Sequence, residues 1–64
     1  MKLMWQTDVD GVVACVYTDG KVNIYSPDAV LIGVGWWHGY WGADEALCAK
    51  LKESEAEYRS ATGI

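Results

Sequence analysis

The chain has 64 residues, 52% of them hydrophobic and 22% charged, which is enough for one small core and too little for two lobes with a cleft between them. Its formal net charge is −4 with five basic residues. Residues 1–42 contribute −2 and residues 43–64 the other −2, so no cationic stripe forms, and nucleic-acid binding and docking on anionic membranes are disfavoured. Phe is missing altogether, while four Trp and four Tyr are present, so every aromatic ring carries a polar handle.

The opening residues, Met1 to Asp8, lack the apolar run of a secretory signal, and the longest uncharged stretch, Ala29 to Ala43, is glycine-broken and shorter than the roughly 20 residues a spanning helix needs. The expectation is a cytoplasmic protein that occupies residues 1–64 as a single domain.

In chain order, the first strand is expected over about 2–8. Asp8-Val9-Asp10-Gly11 follows, and a three-residue loop with Gly11 as the left-handed bulge residue keeps Gln6 and Asp8 out of the core. Asp19-Gly20, between strands at about 12–18 and 21–26, carries the signature of a two-residue type I′ hairpin. Together these registers give an inner face of Leu3, Trp5, Val13, Cys15, Tyr17, Val22 and Ile24, with Val12, Ala14, Val16, Asn23 and Tyr25 outside. Ser26-Pro27-Asp28 ends the third strand.

Residues 29–37 then alternate Val30, Ile32, Val34 and Trp36 against Leu31, Gly33, Gly35 and Trp37, with the strand itself expected over 29–36. This fits a fourth strand with a flat, glycine-lined face on which another element lies closely; a helical turn at 28–31 is the competing reading. A helix is expected over about 43–61, with Ala43, Leu47, Leu51, Ser54, Tyr58 and Ala61 on the packing stripe. Asp44 and Glu45 suit its first turn, Glu55 and Arg59 form an i,i+4 pair, and Gly63 is the expected C′ residue, after which Ile64 would fold back on Tyr58. The fold class is therefore α+β: a three- to four-stranded antiparallel meander packed on one C-terminal helix.

Catalytic and metal chemistry find little to start from. Asp8-x-Asp10-Gly11 resembles the start of a calcium loop but lacks the later ligands. Cys15 and Cys48 are far apart with no companion ligands, and are expected to be free, mostly buried thiols. His38 is the single histidine, and its best catalytic case pairs it with Asp44 or Glu45. Glu53, Glu55 and Glu57 point in different directions on a helix and suit a solvated face. No cofactor, no metal and no enzymatic activity are expected.

What remains is Trp36-Trp37-His38-Gly39-Tyr40-Trp41-Gly42, three Trp and one Tyr within seven residues. A core this small cannot hold all four rings, so some should stand in water as interface anchors. The expected function is a non-enzymatic protein-binding module, most concretely a small acidic inhibitor of the phage or mobile-element type. Such a protein occludes a basic or mixed groove on a larger partner. Its contact residues would be Trp36, Trp37, His38, Tyr40, Trp41, Tyr25 and Asp28. The alternatives are a homodimeric structural subunit, or a domain that stacks sugars or cages quaternary ammonium groups on its indoles.

Overall fold

A computed structural model describes residues 1–63, so the expected contact of Ile64 with Tyr58 lies outside the described residues. Four strands, β1 (Leu3–Val9), β2 (Val12–Tyr17), β3 (Lys21–Tyr25) and β4 (Leu31–Trp36), precede one helix, α1 (Glu45–Thr62). The strands form an antiparallel sheet in the order β1-β2-β3-β4, and the helix lies on one face of it. The α+β meander is thus the observed fold; the fourth strand is present over Leu31–Trp36, and what precedes it at 27–29 is a turn and bend rather than a helical turn.

Both early hairpins differ from the sequence-based expectation, in opposite senses. Val9 pairs directly with Val12, so Asp10-Gly11 is the two-residue turn, both residues having positive φ (52° and 83°). Asp8 Oδ1 accepts the Gly11 N–H at 3.0 Å and fixes this turn from outside. In the second hairpin Val16 pairs with Val22, which leaves Thr18-Asp19-Gly20 as a three-residue loop. The Gly20 N–H donates to the Tyr17 carbonyl, and Gly20 itself is the left-handed residue, with φ 90°.

One residue of slip sends a strand's side chains to the other face. β2 is therefore inverted relative to the expected register: Ala14 and Val16 are buried, while Val13, Cys15 and Tyr17 lie on the outer face, half-buried. The reason is volume. Trp5, Trp41 and Leu51 already fill the space between sheet and helix, and the small Ala14 and Val16 fit beneath them where Tyr17 would not. Leu3 also leaves the expected inner face, because a bulge between Leu3 and Trp5 turns it outward. Trp5, Val22 and Ile24 keep their expected inner positions.

The glycine-lined face of β4 is present as expected, and its occupant is the chain itself. Gly33 and Gly35 pair with the buried Ile24 and Val22, and the segment Tyr40–Gly42 crosses directly over them. A Cβ on Gly33 would stand 2.2 Å from the Gly42 carbonyl oxygen, and one on Gly35 would stand 2.2 Å from that of Tyr40. Only glycine permits this approach, and the approach is what seats Trp41 in the core at 1% exposure.

The helix begins at the N-cap Asp44, whose Oδ1 accepts the Leu47 N–H at 2.9 Å. It ends at Gly63, left-handed at φ 77°, whose N–H donates to the Arg59 carbonyl. Its packing stripe is rotated slightly from the expected one. Leu51 is buried, and Leu47, Cys48, Ser54 and Tyr58 are half-buried, but Ala61 is exposed and Glu55 takes the buried place instead.

Candidate functional site

The residues 36–42 divide sharply. Trp41 is a core residue, meeting Trp5 edge-on at 6.3 Å between centroids. Trp37, half-buried, meets Trp5 at 6.4 Å and Tyr58 at 6.0 Å, both edge-on, while Trp5 stacks on Tyr58 at 4.8 Å. These four rings form the layer between sheet and helix, so the core absorbs more of the indole excess than its size suggested. Trp36, 54% exposed, and Tyr40, 64% exposed, remain in water.

Alternation along β4 explains the division. Gly35 points inward under Tyr40–Gly42, so Trp36 must point outward. Its side chain joins Lys21, Val34 and Tyr40 in lining a shallow notch of about 220 Å³. The same alternation places Val13, Cys15, Tyr17, Asn23, Tyr25 and Val34 on the outer face, where no helix covers them. With Leu31 and Trp36 exposed along the edge strand, this is a largely apolar surface interrupted by Gln6 and Asn23. Of the expected contact residues, Trp36, Tyr40 and Tyr25 lie on or beside it, and Asp28 sits exposed in the turn leading into β4.

His38 belongs to the opposite side. Trp36 to Gly39 is a tight turn closed by Gly39 N–H donating to the Trp36 carbonyl, and His38 occupies its left-handed position at φ 74°. Its ring stacks on Trp37 at 4.4 Å, and Nδ1 lies 3.1 Å from Glu55 Oε2. The carboxylate partner is thus Glu55, and neither Asp44 nor Glu45 is paired with His38. Glu55 is itself 7% exposed rather than solvated, with the Arg59 guanidinium 3.7 Å away and also over the Trp37 ring at 5.8 Å. Oε2 has no aligned hydrogen-bond donor, and Trp5 Nε1, Trp37 Nε1 and Arg59 Nε are buried without a protein acceptor. Sequence reasoning missed this cluster because a glutamate one helical turn from Leu51 looks like surface, and its contact with His38 is a long-range one.

Asp10 and Lys50 form an exposed ion pair that ties the β1–β2 turn to the helix; the Asp10 carboxylate, by hydrogen bond and charge, holds the lysine amine above its ordinary value of 10.5. Cys15 and Cys48 are both free and half-buried, and Cys48 Sγ donates to the Ala43 carbonyl. Among the described residues there is no group of three His, Cys, Asp or Glu side chains placed to hold a metal, and no helix long and apolar enough to cross a membrane. Comparison with family models, curated proteins and solved structures finds no match for this chain.

Proposed function

We propose that this chain is a non-enzymatic protein-binding module which docks through its outer sheet face, with Trp36 and Tyr40 as anchors. Its most concrete form is a small acidic inhibitor, of the kind phages and mobile elements encode, that covers a functional surface of a larger protein inside the cell. The observation that carries this reading is the exposure of β4: Leu31, Val34 and Trp36 are each more than half exposed on a face the helix leaves bare, and Tyr40, beside Trp36 and Val34 in the notch, is more than half exposed as well. Two half-exposed rings leave on the order of 150–250 Å² of apolar area in water, and covering it would contribute about 4–6 kcal/mol before the costs of association.

Trp and Tyr in an apolar patch are the usual hot spots of protein interfaces, and a rim with Asp8 and Asp28 at one end and Lys2 and Lys21 at the other favours a partner groove of mixed charge. The inward turn of His38 toward Glu55 supports a structural role for that pair, and no serine or cysteine hydrogen-bonds to His38 among the described residues. Lys21 in the Trp36–Tyr40 notch disfavours a quaternary ammonium ligand, because it places like charge beside it. The test is a Trp36→Ser/Tyr40→Ser double variant: both side chains are exposed, so folding should be retained while binding to a purified partner is lost. Unchanged binding by the folded variant refutes the proposal.

A further inference from the structure

The same outer face carries a charge pattern that fits a second copy of itself. The sheet has two ends. One holds the β1–β2 and β3–β4 turns with Asp8 and Asp28; the other holds the β2–β3 turn and the start of β1, with Lys2 and Lys21 against a single Asp19. Asp10 sits at the first end too, but it is already paired with Lys50. One end is therefore net negative and the other net positive, across an uncharged middle row of Gln6, Cys15, Asn23 and Val34.

We propose that, when free, the protein pairs outer face to outer face with a second copy, the strands of the two sheets running in opposite directions about a two-fold axis that crosses them. This rests on reading the outer face as a protein-docking surface, and it assigns that surface a first occupant. The two-fold operation lays each strand on its own copy reversed, so Asp8 faces the partner's Lys2 region and Asp28 the partner's Lys21 region. Val34, near the middle of β4, faces its own copy, and Trp36 faces the partner's Leu31. The alternative operation, with the axis along the strands, stacks negative end on negative end and is disfavoured.

Edge-to-edge pairing through β4 is disfavoured as well. The Trp36 N–H already donates to the Tyr40 carbonyl, and Tyr40–Gly42 crowds that edge. Four strands spaced about 4.8 Å apart and about six residues long give a face of roughly 380 Å² in projection. That is well under the ~800 Å² per partner of a standard interface. The pairing is accordingly weak and reversible: it shields the apolar face of the free protein and yields to a tighter-binding target.

Sedimentation of the full chain across the micromolar range tests this. The expected result is a reversible shift from the 7.1 kDa chain mass to twice that value. Trp36→Ser/Val34→Ser should weaken the pairing at least about a hundredfold, since each change enters twice. Lys21→Glu alone and Asp28→Lys alone should each weaken it about tenfold, and the two together should restore it. A monomer at every concentration overturns the inference, as does a dimer indifferent to Trp36→Ser/Val34→Ser, or a charge swap that fails to restore pairing. A monomeric wild type that still loses its target through Trp36→Ser/Tyr40→Ser removes only the self-pairing. A dimer broken by these changes in a protein whose purified partner binds the Trp36→Ser/Tyr40→Ser variant unchanged removes only the target-docking proposal.

Discussion

Gly35→Ala should be among the most damaging single-methyl additions this chain can receive. The added Cβ would sit 2.2 Å from the Tyr40 carbonyl oxygen, 2.7 Å from the Trp41 carbonyl carbon and 3.0 Å from Trp41 Cα. All three are backbone atoms, so no side-chain rotation relieves the clash, and the crossing segment must lift. Forced overpacking of this kind typically costs about 1–3 kcal/mol. If Trp41 is unseated, the 150–250 Å² that a Trp buries adds up to about 4–6 kcal/mol more. A chain of this length is stabilised by only about 3–10 kcal/mol in total, so a loss of even 2 kcal/mol should lower Tm by about 8–16 °C. The assay is thermal unfolding followed by tryptophan fluorescence and near-UV circular dichroism. Gly39→Ala is the control: its nearest neighbour is the Trp36 carbonyl oxygen at 3.8 Å, and its backbone is not left-handed. It should be neutral or stabilising by up to about 1 kcal/mol. If both variants melt together within about 2 °C, the close crossing of Tyr40–Gly42 over β4 is refuted.

Three further outcomes follow from the backbone and the ion pairs. Ala29 is left-handed at φ 64° in the β3–β4 turn, so Ala29→Gly should raise the urea midpoint by an amount equivalent to about 0.5–1 kcal/mol with m unchanged. His38→Ala keeps the strain of φ 74° while losing the stack on Trp37 and the Glu55 contact. His38→Gly loses the contacts but also the strain, and should be the more stable of the two in denaturant titration by about 1 kcal/mol. The Lys50 amine, raised in the folded state by Asp10, favours folding at all pH values below its ordinary 10.5, and the effect is lost as pH rises through the raised value. The stability difference between the natural chain and Asp10→Asn, measured by denaturant titration from neutral to alkaline pH, should therefore be level around neutral pH and close in that alkaline window.

Element type and order were legible because they rest on local chemistry: Asp-Gly turns, the Ser26-Pro27-Asp28 break, and Gly63 at the helix end; Asp44, expected inside the first turn, is instead the N-cap. The faces were less so. Asp10-Gly11 and Asp19-Gly20 carry the same dipeptide, yet one closes as a two-residue turn and the other as the end of a three-residue loop. Local propensity does not separate these, and the choice is made by the volume available under the helix. Expecting each turn in the other's form makes two one-residue slips that cancel, so β3 and, past the bulge at Leu3, β1 keep their expected faces and β2 is inverted. The aromatic segment was legible as an excess but not as a division. That Trp41 goes in and Trp36 stays out depends on Gly33 and Gly35 accepting the returning chain, a long-range contact that periodicity registers only as a flat face. Glu55 was hidden for a related reason, since its partner His38 comes from the turn after β4, seventeen residues away in the chain.

The central claim is that Trp36 and Tyr40, on the uncovered face of the sheet, hold a protein partner. Its most direct test is the affinity of the Trp36→Ser/Tyr40→Ser variant for a partner purified with the natural chain, measured by titration alongside a thermal melt of each protein. The expected result is an unchanged fold with binding weakened about a hundredfold or more. Equal affinity in a variant that melts like the natural chain would contradict it.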